Sequence, residues 1–172
     1  MENLDRVINI IEKLENEGLI KDYAVGGGVA TIFYTEVFST YDIDVFIILP
    51  EKTSGLVDIS PIYKWFKKRG YRSHREHIII DDVPVQLLPA YNDLIVEAIE
   101  KSSRIKYKSK TIKTFRPEHL VAIMLQTFRP KDRVKIIEFL DNVKLDRKYL
   151  GEILKRYNLQ GKFADFIKSY GK

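Results

Sequence analysis

Apolar residues stand at Leu4, Val7, Ile8, Ile11 and Leu14. Steps of three and four put them on one side of a helix, and Gly18 is placed to stop it. The period then changes. DYAVGG (22–27) reads as a short strand, and VATIFYTEVF (29–38) has the length of a short helix packed on it. IDVFIIL (43–49), ended by Pro50, is the continuous apolar run of a strand covered on both faces. Asp58 or Ser60 caps a further helix with Pro61 in its first turn, and Ile62, Trp65 and Phe66 give it an apolar side up to Gly70. YRSHREHIII (71–80) and VPVQLLP (83–89) are two more strands, with Asp81-Asp82 as a two-residue hairpin link.

Asn92 caps a helix that buries Leu94, Ile95, Ala98 and Ile99. The basic segment KSSRIKYKSKTIKTF (101–115) alternates apolar and charged residues and predicts a small hairpin near Ser109-Lys110. From Pro117 the pattern is helical, with breaks at Arg129-Pro130, at 144–146 and at Gly161. The order of elements predicts an α/β (α+β) fold, a mixed sheet flanked by helices and followed by a helical appendage. Residues 1–100 form the expected core and 101–172 a basic, mainly helical part packed on it, the two together making up to a single domain.

Composition refines this picture in three ways. The 172 residues are 45% hydrophobic and 31% charged, enough to bury a core without staples. No run is apolar enough to span a bilayer, and the N-terminus lacks the basic start and apolar centre of a secretory signal, so a cytoplasmic protein without a membrane partner is expected. The absence of cysteine excludes disulfides, thiolate nucleophiles and cysteine-based zinc sites. The net charge of +5 hides an asymmetry: residues 1–100 carry 10 Lys/Arg against 17 Asp/Glu, a balance of −7, whereas 101–172 carry 19 against 7, a balance of +12. Solvated lysine-rich helices explain that as readily as a phosphate-attracting half does.

The chemistry concentrates in VGGGVATIFYTEVFSTYDIDVF (25–46). Glycine lets a strand-to-helix turn take a positive φ and lets a ligand approach the backbone, where amide N–H groups at the helix start face an anion. Asp42 and Asp44, two residues apart at a strand start, project from the same face. Paired carboxylates repel and cost stability unless a cation lies between them, and Mg²⁺ is the oxygen-seeking ion for such a pair when phosphates complete its shell. Thirteen residues separate Gly28 from Asp42, enough for the intervening helix to bring the second strand back beside the first.

That spacing resembles the DNA polymerase β-like minimal nucleotidyltransferases, whose pattern is hydrophobic-Gly-Gly/Ser and then Asp-h-Asp-h. VGG or GGG followed by DIDV fits it, and PVQLLPAYNDLIVEAI and RPEHLVAIMLQTFRPKD look like later segments of the toxin-like and abortive-infection branch. The resemblance implies that Gly27 and Gly28 hold nucleotide phosphates and that Asp42 and Asp44 carry Mg²⁺ or Mn²⁺. An acceptor hydroxyl would then attack the α-phosphorus of an NTP, and pyrophosphate would leave. It sets Gln86 where the family has a third carboxylate, a side chain that orients a hydroxyl but supplies no charge; Asp82 and Glu76 are the nearby acids, although Asp81-Asp82 reads as a plain turn. Met124 stands where relatives carry a helix lysine, and Arg129, Lys131 and Asp132 become candidate phosphate-side helpers.

The implied acceptor is a hydroxyl of a protein, of an RNA such as tRNA, or of a small molecule. Gln86 favours a rival reading, a catalytically silent nucleotide-, RNA- or protein-binding module, such as half of a toxin–antitoxin pair. A third reading, a structural α/β domain, makes the spacing a coincidence. His74, Glu76 and His77 suggest a metal site but read better as a polar strand, and His119 as a helix-terminus residue. RIKYKSKTIKTFR interleaves cations with Tyr107 and Phe115 and suits either nucleic acid or a solvated hairpin.

Overall fold

The computed structural model describes residues 3–35, 39–50 and 57–171. The first helix, α1 (Leu4–Asn16), buries the stripe of Leu4, Val7, Ile8, Ile11 and Leu14 completely; each such side chain contributes about 1.5–3 kcal/mol relative to exposure. Gly18, at φ +70°, ends it as expected. The N–H of Gly18 donates to Glu15 and that of Leu19 to Leu14, so the last carbonyls are satisfied.

Strand β1 (Asp22–Val25) leads through Gly26 into a six-residue helix, α2 (Gly27–Ile32), and β2 (Ile43–Ile48) returns beside it. The helix expected over 29–38 therefore begins two residues earlier, and its described part is shorter. Three glycines turn the chain at once, and the β-branched Val29, Thr31 and Ile32 do little to prolong a helix. Residues 36–38 of that expected helix lie outside the described residues.

Next come α3 (Ser60–Lys68), with the Asp58 carboxylate accepting from the Ser60 N–H, and three strands: β3 (Arg72–His74), β4 (His77–Ile80) and β5 (Val83–Pro89). The single strand expected over 71–80 is split by a turn at Arg75-Glu76, where Arg75 takes φ +54°. Asp81 and Asp82, at φ +48° and +63°, form the two-residue hairpin link. Helix α4 (Asp93–Glu100) is capped by Asn92, and a basic hairpin, β6 (Ser103–Tyr107) and β7 (Lys110–Thr114), follows. The chain then continues through α5 (Pro117–Thr127), α6 (Pro130–Asn142), α7 (Arg147–Arg156) and α8 (Gln160–Ser169). Gly161 lies inside α8 and does not break it; the break falls at Asn158, which takes φ +56°, as asparagine does more cheaply than most residues.

The sheet is mixed, as expected, in the order β3-β4-β5-β2-β1-β7-β6. β2 pairs parallel with β5, β1 parallel with β7, and the other neighbours are antiparallel. The hairpin beyond residue 100 thus extends the central sheet. One face carries α1 and α3, with Ile8, Trp65, Val45 and Ile47 in its core. The other carries α4 to α8 around Phe46, Phe115 and Phe139. No described helix is long and apolar enough to cross a membrane.

One polar cluster ties the helices of the second face together. His119 is fully buried, its Nε2 3.2 Å from a Glu97 oxygen, and that carboxylate also accepts from Arg156 at 2.5 Å and from the Tyr157 hydroxyl at 2.7 Å. Burial, opposed by Glu97, pulls the His119 pKa below its ordinary value. The unfolded chain therefore takes up this proton first. Stability is complete above about pH 6.5 and is expected to fall as the pH drops below it, by at most about 1.4 kcal/mol per pH unit for this one group. Urea unfolding at pH 7.5, 6.5 and 5.5 checks this: His119→Gln, which does not titrate, flattens the dependence, and an equally steep variant contradicts the assignment.

Candidate active site

Three adjacent glycines do three separate things at the end of β1. A Cβ on Gly26 would fall 2.9 Å from the Phe115 ring and also strike Phe46, so this residue lets the backbone close on the aromatic core. Gly27, at φ +53°, lies so near Asp44 that a Cβ there would overlap its carboxylate. A Cβ on Gly28 would fall 2.7 Å from the Thr40 side chain, whose hydroxyl donates to Asp42 at 2.7 Å. Gly27 thus makes room for one aspartate and Gly28 for the residue that holds the other.

Strand register assembles the rest. The Gly26 N–H donates to the Asp44 carbonyl; Asp44 is level with Gln86, Gln86 with His77, and His77 with His74. Cross-strand partners share a face, so Asp44, Gln86, His77 and His74 form one polar row over four strands. Asp42 lies two residues before Asp44, with the His77 Nε2 3.7 Å from its carboxylate. Gln86 occupies the row itself, where the resemblance sets a carboxylate. Asp82 is at the exposed hairpin beside Arg72, and Glu76 is in the β3–β4 turn.

The two aspartates have opposite environments. The Thr40 hydrogen bond, aided by His77, holds Asp42 below the usual carboxylate range, whereas burial and then the Asp42 charge push Asp44 above it, against a hydrogen bond from the Gly28 N–H and the fields of Lys131 and Lys135. A half-buried carboxylate raised in part by its own neighbour is a site that gains from a cation. Among the described residues no group of three or more His, Asp or Glu side chains forms a ready metal cage. The pair matches the way Mg²⁺ is bound, by one or two carboxylates with phosphates and water supplying the remainder. It does not match a second, independently held ion.

A cavity of about 340 Å³ opens beside Asp44, lined by Gly27, Thr31, Gln86, Tyr91, Arg129 and Lys135 over a floor that includes Phe46, Phe115 and Met124. Met124 is part of that apolar floor, and the lysine facing the cavity comes from α6. Lys135 is half-buried, and burial followed by the Lys131 charge lowers its pKa. Sequence reasoning missed Lys135. The available signal was a cation on the apolar stripe of Ile136, Phe139 and Leu140, three residues after Asp132.

Arg129 and Asp132 bind each other. The guanidinium donates to both Asp132 oxygens at 2.8 and 3.2 Å, and the same carboxylate accepts from the Arg129 N–H and the Thr127 hydroxyl. Lys131 is exposed, outside the cavity lining but close enough to act on Asp44. The basic hairpin continues the sheet beyond β1, with Thr114 level with Val25 beside the glycine turn, and its Lys110 is paired to Glu12 and Lys113 to Glu15 and Asp22. Part of its charge is therefore already spent on α1 and β1.

No protein-family model matches the chain, and no curated protein matches it in sequence. Solved structures match it in fold. An antigenic nucleotidyltransferase-like protein from Paracoccidioides brasiliensis superposes at a TM-score of 0.52, with 17% identity over 97% of this chain and 93% of that one. ANT(2")-Ia in complex with adenylyl-2"-tobramycin gives a TM-score of 0.45, with 15% identity over 96% of this chain and 97% of its own. The chain has the nucleotidyltransferase-like fold.

Proposed function

We propose that the protein is a metal-dependent nucleotidyltransferase. It binds a nucleoside triphosphate with Mg²⁺ and transfers the nucleoside monophosphate to a hydroxyl acceptor. The observation that carries this reading is the packing of the glycine turn onto the aspartate strand, Gly27 against Asp44 and Gly28 against the Thr40 that holds Asp42. A turn and a carboxylate pair serving unrelated purposes would have no need of such mutual clearance.

In this reading the Gly27-Gly28 backbone and Lys135 face the triphosphate, with Lys131 adding to the positive field. Asp42 and Asp44 hold the ion, which when bound offsets charge on the reacting phosphate. Gln86, in the row beside Asp44, orients the incoming hydroxyl. The acceptor oxygen bonds to the α-phosphorus, the bond to the β-phosphate oxygen breaks, the hydroxyl proton passes to water, and pyrophosphate leaves. Asp132 serves by fixing Arg129. The acceptor is a hydroxyl on a protein, an RNA end or a small molecule, and the toxin-like branch remains part of the proposal.

Gln86 supports one further reading. With a neutral amide in place of a third carboxylate the site suits holding a nucleotide without turning it over. Incubation with α-labelled NTPs, Mg²⁺ and a panel of protein and RNA acceptors separates the two. Transfer that chelation abolishes and Asp42→Asn reduces at least about 100-fold is the expected result, since even second-shell support of metal ligands is worth about 10–100-fold. Tight Mg-NTP binding with no transfer to any acceptor establishes the silent module instead.

A further inference from the structure

We propose that Tyr91 and Arg129 form the nucleobase subsite of this cavity, holding the base by stacking and accepting all four common bases. The inference rests on the nucleotide reading above and adds to it where the base lies and how it is read. Five large hydrophobic side chains are conspicuously exposed among the described residues; of these only Tyr91, 61% exposed, lines the cavity shared by Gly27 and Asp44. An aromatic ring left in water on the wall of such a cavity is a stacking surface awaiting a partner.

Arg129 supplies a second plane. Its side chain is 59% exposed, yet the guanidinium is locked at two points by Asp132, itself only 3% exposed. The charge is met by that carboxylate, so the flat, weakly hydrated face is what the group offers a ligand. Spacing along the sheet agrees. Pro89 is level with Ile47, three strand positions or roughly 10 Å beyond Asp44 at about 3.3 Å per residue, and Tyr91 follows two residues after the end of β5. Triphosphate near Asp44 and Lys135, with the base toward Tyr91, is a layout of nucleotide length.

The amide next to Tyr91 is engaged elsewhere: the Asn92 side chain donates to Gln126 Oε1 at 2.8 Å and its Oδ1 accepts from the Ile95 N–H. The base is then held mainly by stacking, a contact every base can make.

Calorimetric titration of wild type, Tyr91→Ala and Tyr91→Phe with Mg-ATP, Mg-CTP and Mg-tripolyphosphate tests the subsite. Tyr91→Ala should weaken both nucleotides about tenfold or more and leave tripolyphosphate unchanged, Tyr91→Phe should match wild type, and ATP and CTP should agree within about tenfold. The subsite is overturned if Tyr91→Ala binds nucleotide as wild type does, or if it loses nucleotide and tripolyphosphate alike. Wild type that binds tripolyphosphate as tightly as ATP overturns the subsite and spares the phosphate site, whereas wild type that binds neither overturns both.

Discussion

Asp44→Asn should cost at least about 100-fold in Mg-NTP affinity and transfer while leaving the metal-free protein more stable than wild type. The two halves of that outcome have one cause. Asp44 is half-buried and close to Asp42, and its pKa is raised by that burial and then by the Asp42 charge, so its ionised form is less favourable in the folded state than in the unfolded chain. Stability linked to this carboxylate is present below the unfolded pKa and lost as the pH rises through the folded one. Asparagine has the same size, still accepts from the Gly28 N–H and removes the charge. Calorimetry with Mg-ATP and thermal melting in chelator at pH 7.5 measure both halves. A variant that binds normally and melts lower shows that Asp44 is held for packing, and the proposed ion site fails.

Gly27→Ala is the second large effect, expected to destabilise the protein by more than about 2 kcal/mol and to remove nucleotide binding. A residue with a Cβ at φ +53° costs about 1–2 kcal/mol from backbone sterics alone. The added methyl also overlaps the Asp44 carboxylate, so the turn and β2 must part. Gly151 is the internal control: it lies within α7, exposed, with nothing within 4 Å of its missing Cβ. Gly151→Ala should raise stability by about 0.5–1 kcal/mol. Denaturant melts of the two variants check both signs, and equal stabilities would show that the close approach at Gly27 is relaxed in solution.

The part of the site that sequence conveys is the part that is local. Gly27, Gly28, Asp42 and Asp44 fall within eighteen residues, and a strand, turn and strand of that length have few ways to fold. Gln86 was singled out by the family resemblance and not by any local pattern, and the observed register sets it level with Asp44. Lys135 and Tyr91 were singled out by neither. No spacing links residues 44, 91 and 135; only the packing of α6 and the exit of β5 over one sheet face does. Arg129 and Asp132 were named by the family resemblance, but their bond to each other, which turns a supposed phosphate ligand into a fixed plane, depends on how α6 begins. Gly161 misled for a related reason: glycine marks breaks on average, and here the left-handed residue is Asn158.

The path of the central sheet also sets an order of events during synthesis. Val25 at the glycine turn is level with Thr114, the Phe115 N–H donates to the Val25 carbonyl, and the Tyr34 hydroxyl donates to the Phe115 carbonyl. A nascent chain that has emerged only as far as α4 already carries the glycines, both aspartates and Gln86, but neither the strand that flanks their turn nor Lys135. Its carboxylates would meet water where the finished protein has α5 and α6. On the proposed reading, competence for nucleotide waits for the residues beyond α4, and a chain that has emerged no further than residue 117 holds both aspartates with no Lys135 opposite them.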